Sequence, residues 1–157
     1  MALKSEDRNA VLVLHGPNLG KLGTREPDIY GSATLDDINR HLEEMALLSD
    51  WQVVALQSNH EGDLIDAIEN APEQYQAIII NPAGLTHTSI CLRDAIQSVP
   101  IPTIEVHLSQ IAAREEFRHT SLISSVCRGT ITGFGMHSYI MALWYIITTF
   151  SSANQKP

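Results

Sequence analysis

Val11-Leu12-Val13-Leu14-His15-Gly16-Pro17-Asn18 opens on four consecutive apolar residues and then breaks into a turn. An apolar run with no polar alternation marks a strand buried on both faces. Strands of that kind sit in parallel sheets covered by helices on each side. The rest of the chain repeats the unit. Thr34 opens a helix, with Asp36 and Asp37 in its first turn and Leu35, Ile38, Leu42 and Met45 at helical spacing. Trp51 to Leu56 reads as a second strand. Ser58-Asn59-His60-Glu61 has the form of a capping box for a helix that carries Leu64, Ile65 and Ile68 and ends by Pro72. Ala77 to Ile80 is a third strand, and Ser89 to Val99 a helix stopped by Pro100. Thr103 to Val106 is a fourth strand, Arg128 to Phe134 a glycine-flanked fifth, and Met136 to Phe150 a final helix.

Strand and helix thus alternate about five times at short spacing, which implies α/β architecture. The expected fold is a flavodoxin-like three-layer sandwich with a five-stranded parallel sheet in the order 2-1-3-4-5. In such sheets ligands bind at the carboxyl ends of the strands, near the switch between strands 1 and 3. At 157 residues the chain reads as a single domain, with 1–8 and 151–157 as flexible tails. An apolar fraction of 44% rules out intrinsic disorder. A formal net charge of −8 argues against nucleic-acid and anionic-membrane partners. That charge is concentrated: Asp36 to Glu73 holds ten acidic residues and one basic, leaving about +1 for the remainder. Cys91 and Cys127 form no disulfide framework and read as two buried thiols. The first ten residues do not form a secretory signal, and the longest apolar stretch, Tyr139 to Phe150, is shorter than the roughly 20 residues a bilayer requires. The expectation is a soluble cytoplasmic protein.

Three segments at strand ends hold the candidate chemistry. Strand 1 runs into a loop of nearly twenty residues, His15 to Gly31, with Asn18, Lys21, Arg25 and Tyr30. Strand 3 leads into Asn81-Pro82-Ala83-Gly84-Leu85-Thr86-His87, and strand 4 into His107-Leu108-Ser109 and then Arg114 to His119. Gly16, Gly20 and Gly23 match neither phosphate-loop spacing, so nucleotide binding is disfavoured. His87, His107 and His119 lack the short spacing of metal ligands, and neither metal nor cofactor is expected. No nucleophile elbow is present. Lys4 and Lys156 are terminal and Lys21 lies in a polar loop, which makes an imine-forming lysine a poor fit. Acid–base chemistry with Tyr, His, Arg, Asn and Glu remains.

The blocks GPNLGKLGTREPDIYG, QSNHEGDLID, IINPAGLTHTS, LRDA, IEVHLS and AREEFRH, in that order, resemble the type II 3-dehydroquinate dehydratase family from residue 11 to about 145. The resemblance implies a hydro-lyase that converts 3-dehydroquinate into 3-dehydroshikimate by anti elimination through an enolate, without metal or imine. It implies Tyr30 as the base, acting as a phenolate, with Arg25 as the cation that lowers its pKa. Asn18 would stabilise the enolate and His107 would protonate the leaving hydroxyl. Glu105, two residues before His107 on the same side of a strand, would orient it and favour its charged form. Asn81, His87, Leu108, Ser109 and Arg118 match positions that bind the small carboxylate substrate, and Asp94 matches one that approaches a neighbouring subunit's site. The family forms homododecamers built from trimers, and the nearly all-round apolar final helix suits either sheet packing or subunit contact. Arg114 reads as loop structure or lid charge.

Taken alone, each residue has a simpler reading: Tyr30 as a turn aromatic, Asn18 as a turn residue, Arg25 in a solvated pair, His107 as a hydrogen-bonded core histidine, Asp94 as a surface charge. Glu105 at a buried strand end is harder to dismiss and demands a partner. A non-catalytic module binding a small carboxylate is the alternative function. Departures from the family pattern are His15 where Asn is common, Gln110 and Ala112 for Asn and His, and Leu122 and Ser125 for Tyr and Pro.

Overall fold

The structure, a computed structural model, describes residues 9–24 and 33–151. Arg25 and Tyr30 lie outside the described residues, as do the terminal segments 1–8 and 152–157. Five strands form one parallel sheet: β1 (Ala10–His15), β2 (Gln52–Gln57), β3 (Ala77–Asn81), β4 (Thr103–His107) and β5 (Gly129–Thr132), in the order β2-β1-β3-β4-β5. The order and the parallel sense are those read from the sequence. The register sets His15 beside Asn81, and Ile80 beside Glu105, so the chemistry-bearing residues share one edge.

Four α-helices cover the sheet: α1 (Leu35–Leu47), α2 (Glu61–Asn70), α3 (Ile90–Ser98) and α4 (His137–Phe150). Alternation along β1 divides the core. Val11 and Val13 pack with α1 and α4, whereas Leu12 and Leu14 pack with α2 and α3. Burial on both faces explains why the strand is apolar without interruption. β2 is an edge strand and alternates instead: Val53 and Ala55 face the core while Val54 and Leu56 are exposed. Trp51 falls before β2, in the core, where its Nε1–H donates to Ser151 Oγ at 3.1 Å. That bond and one from Ser151 Oγ to the Ile147 carbonyl tie down the residue expected to begin the flexible tail.

Several local expectations shift. Thr34 caps α1 as read, its hydroxyl accepting from the Asp37 N–H while the Asp37 carboxylate accepts from the Thr34 N–H. The capping box expected at Ser58 is displaced. α2 starts at Glu61 with His60 as its N-cap; Ser58 Oγ accepts from the His60 N–H and donates to Asp63. Glu61 is therefore free to accept from the Ser89 hydroxyl at the start of α3. β5 is shorter than expected because Gly133 turns at a φ of +91°. Cys91 is exposed and only Cys127 is partly buried, which corrects the reading of two buried thiols. Cys91 sits in the first turn of α3, whose buried face is formed by Leu92, Ala95 and Ile96. Among the described residues no helix is long and apolar enough to cross a membrane.

Candidate active site at the switch between strands 1 and 3

A cleft of about 160 Å³ opens at the carboxyl ends of β1, β3 and β4. Its rim is set by a close approach of two backbones. The Gly16 N–H donates to the Asn81 carbonyl at 2.7 Å, and a Cβ on Gly16 would lie 2.5 Å from the Pro82 oxygen, so only glycine fits there. Immediately afterwards Asn18 (φ 69°) and Ala83 (φ 51°) both adopt the left-handed conformation. For Ala83 this costs roughly 1–2 kcal/mol, whereas asparagine tolerates the region. A strained alanine in the cleft lining indicates that the surroundings enforce the shape. The enforcing contacts are visible. Asn59 Oδ1 accepts from the Asn18 N–H at 2.9 Å, and Asn81 Oδ1 accepts from the Ala83 N–H at 3.2 Å.

β4 carries a buried pair, Glu105 and His107. Glu105 is fully buried and His107 nearly so. His107 Nε2 lies 2.7 Å from Glu105 Oε1. An ionised carboxylate only accepts, so Nε2 carries the proton and Nδ1 is left to the cleft. Burial pushes the Glu105 carboxyl up. Hydrogen bonds from His107, Thr86 and Ser121, with the positive charge of His107, outweigh that and hold it below the usual carboxylate range. Glu105 therefore has the partner its position demanded.

Beneath the cleft lies a buried polar chain. His15 Nε2 is 2.8 Å from Asn39 Oδ1, and His15 Nδ1 is 2.9 Å from the Tyr139 hydroxyl. The amide oxygen accepts, so Nε2 is protonated and Nδ1 receives the tyrosine proton. Tyr139 also bonds the Asn81 side chain, and burial pushes its phenol well above the ordinary tyrosine value. The chain thus links α1, β1 and α4 to a cleft residue. Burial drives the His15 pKa from 6.5 down to about 4, against the smaller upward pull of Asn39. Unfolded chains take this proton first, so stability is complete above about pH 6.5 and falls as the pH drops toward 4. The expected loss is about 3 kcal/mol. Urea titrations at either end of that window measure it, and His15→Asn, which cannot titrate, should flatten the difference by that amount.

The remaining wall carries two guanidinium groups, Arg114 and Arg118, with His87 beside them. Glu115 Oε2 accepts from Arg118 Nε at 3.0 Å and lies 3.6 Å from Arg114 Nε, spacing the two guanidinium groups. His87 Nδ1 donates to the Thr120 carbonyl at 2.8 Å, leaving Nε2 for the cleft. An overall acidic protein is locally positive here, which suits a small carboxylate.

Asn18, Asn81, His87, His107, Leu108, Ser109 and Arg118 all line the cleft, with Glu105 directly behind His107. Asp94 does not. It sits on the exposed face of α3, its side chain 64% accessible, beside Arg93. Arg114, read from the sequence as loop or lid charge, is part of the wall; its spacing of four residues from Arg118 was the available signal. Thr86 and Ser121 hydrogen-bond Glu105, and nothing in their local sequence pairs them with it. Among the described residues no cluster of three or more His, Cys, Asp or Glu has the geometry to hold a metal ion.

A family model described as dehydroquinase class II matches residues 9–147. The 3-dehydroquinate dehydratase of Trichodesmium erythraeum is 55% identical over 137 residues, covering 87% of this chain and 91% of that protein. That of Bacillus licheniformis is 51% identical over 139 residues, covering 88% and 96%. Among solved structures, the type II dehydroquinase of Propionibacterium acnes superposes with a TM-score of 0.86 at 43% identity, covering 89% of this chain and 97% of that one.

Proposed function

We propose a division of labour for a chain that belongs to the dehydroquinase class II family and, like the relatives it matches, dehydrates 3-dehydroquinate in the shikimate pathway. It is a hydro-lyase. The reaction removes a proton beside the ketone, forms an enolate, then breaks the C–O bond at the β-carbon with loss of water. His107 is the acid: Nδ1 gives its proton to the departing hydroxyl. Glu105 holds the ring by Nε2–H and stabilises the charged form. Tyr30 is the base, with Arg25 as its adjacent cation. Asn18, fixed in its left-handed turn, stabilises the enolate oxygen. The substrate carboxylate docks at the backbone N–H groups of Leu108 and Ser109, and Asn81, His87 and Arg118 orient the ring and its hydroxyls. One observation carries this reading: a buried, hydrogen-bonded Glu105–His107 pair opening onto a cationic cleft.

The test is turnover of 3-dehydroquinate by the purified protein, followed by the ultraviolet absorbance of the conjugated enone. The expected rise survives chelators, and borohydride added with substrate does not inactivate the enzyme. No rise in absorbance would remove the lyase reading and favour the non-catalytic carboxylate-binding module. Substrate-dependent inactivation by borohydride would point to an imine at a lysine instead.

A homododecamer assembled from trimers belongs to the same proposal. Asp94, matched to a position that approaches a neighbouring subunit's site, is exposed and does not line its own chain's cleft, which leaves it available to another copy. On α4, Tyr139, Ala142, Leu143 and Ile146 are buried, but Trp144 remains 59% exposed. Light scattering should give the mass of twelve chains; a monomer would exclude a role for Asp94 in a neighbour's site.

A further inference from the structure

Glu105 is held by a cage of hydroxyls drawn from three separate segments. Its Oε1 accepts from the Thr86 hydroxyl and from Ser121 Oγ at 2.9 Å, alongside His107 Nε2. Its Oε2 accepts from Ser121 Oγ at 3.0 Å and Thr130 Oγ1 at 3.3 Å. Thr86 immediately precedes His87 in the cleft wall, and Ser121 follows the loop that carries Arg118. The two segments are also joined by backbone, the Leu122 N–H donating to the Thr86 carbonyl at 2.8 Å, and within its own segment Ser121 Oγ accepts from the Ser124 N–H at 3.0 Å. Thr86 is fully buried.

A single hydroxyl near a carboxylate is ordinary. Here a fully buried carboxylate receives three, each from a different stretch of chain, and the same carboxylate bonds the catalytic imidazole. We propose that Thr86 and Ser121 are positioning residues for the elimination: their hydroxyls fix the Glu105 carboxylate, which in turn fixes the His107 ring with Nε2–H inward and Nδ1 toward the substrate. This rests on the assignment of His107 as the acid.

The physical reason lies in where one shared proton sits. The pair can hold it as carboxylate plus imidazolium or as carboxylic acid plus neutral imidazole. Only the first presents a strongly acidic Nδ1–H to the leaving group. A buried carboxylate without donors would favour the second, because burial penalises charge. Hydroxyl donors favour the first, as charge-assisted hydrogen bonds do. His107, on the same strand, and the Cys127 thiol, from the segment entering β5, are the titratable groups that act on Glu105 among the described residues. Burial and the Glu105 charge push Cys127 up to about 12, so it stays neutral. Thr86, Ser121 and Thr130 carry no charge. The pair and its hydroxyls are thus the groups that decide the protonation.

The test compares hydroxyl-free with hydroxyl-retaining variants, by kcat and KM on 3-dehydroquinate across the acid and neutral range. Ser121→Ala and Thr86→Val should each lower kcat about tenfold, as expected for one hydrogen bond to a charged group, with KM nearly unchanged. The acid limb of the kcat profile should move to higher pH, since Glu105 then takes a proton more readily. Ser121→Thr and Thr86→Ser, which keep the hydroxyl, should recover both rate and profile. Circular dichroism identifies any variant that fails to fold, and the two positions report independently. Folded hydroxyl-free variants with normal kcat and an unmoved acid limb overturn the proposal. So does a loss that is equal in the hydroxyl-retaining variants, because shape would then be the cause. His107→Ala is run in parallel. Its retained turnover overturns the acid assignment itself, whereas its inactivity beside a normal Ser121→Ala and Thr86→Val overturns the cage alone.

Discussion

His107→Ala should lower kcat by about 10²–10⁴-fold, the usual contribution of a positioned general acid, while the fold survives. The loss arises at one step. Without Nδ1–H the hydroxyl leaves as hydroxide, and the described cleft holds no second proton donor with a built charge partner. His87 uses Nδ1–H on the Thr120 carbonyl, and the arginines do not release protons at neutral pH. Because the proton moves as the C–O bond breaks, the interaction is made in the transition state and KM should change much less than kcat. The substitution also leaves Glu105 with hydroxyl donors only, so some stability is lost; circular dichroism and urea titration separate that from the chemistry. Added imidazole should restore part of the rate by occupying the vacated space. Turnover within a few-fold of the unsubstituted enzyme would remove His107 from the mechanism.

The sheet was legible because its signals are local. Continuous apolar runs at β1 and β3 and the prolines at 72 and 100 required no knowledge of the tertiary structure. Glu105 was legible for a different reason: a carboxylate between Ile104 and Val106 in a buried strand has no stable place without a partner, and His107 was the nearest one. What the sequence hid was non-local. Thr86 and Ser121 reach Glu105 across 19 and 16 residues, and His15 meets Tyr139 across 124. A hydroxyl or an imidazole carries no mark of its partner when that partner is folded against it from another layer. The displaced cap at Ser58 shows the same limit at short range. Glu61 has the spacing of the pattern, but Ser89 at the start of α3 donates to Glu61, and Ser58 donates to Asp63 instead. Asp94 shows it between chains, since its proposed role depends on a surface that one chain does not contain.

Tyr30→Phe should also lower kcat by about 10²–10⁴-fold, and it discriminates between two bases. The proton removed lies beside a ketone, so the base must be within reach of it and present in its basic form in usable amount near neutral pH. The chain has four tyrosines. Three are in described positions and none of these suits the cleft. Tyr139 is fully buried, with its phenol engaged by His15 and its pKa pushed up. Tyr145 accepts from Arg128 Nε at 3.2 Å, and Tyr75 packs among Ile68, Ala71 and their neighbours on the α2 side of the sheet. Tyr30, in the segment that follows the cleft-lining Leu22, is the remaining phenol. The competing base is His87, which lines the cleft and keeps Nε2 as its acceptor once Nδ1–H is committed to the Thr120 carbonyl. The two assignments separate kinetically. With Tyr30 as base, Tyr30→Phe nearly abolishes kcat, whereas His87→Asn chiefly raises KM by removing an orienting contact. With His87 as base the pattern reverses. Deuterium at the abstracted position adds a second reading: wash-out into solvent should stop in Tyr30→Phe but continue in His107→Ala, because the acid acts only after the enolate has formed. Wash-out that persists in Tyr30→Phe and disappears in His87→Asn would transfer the role of base to His87.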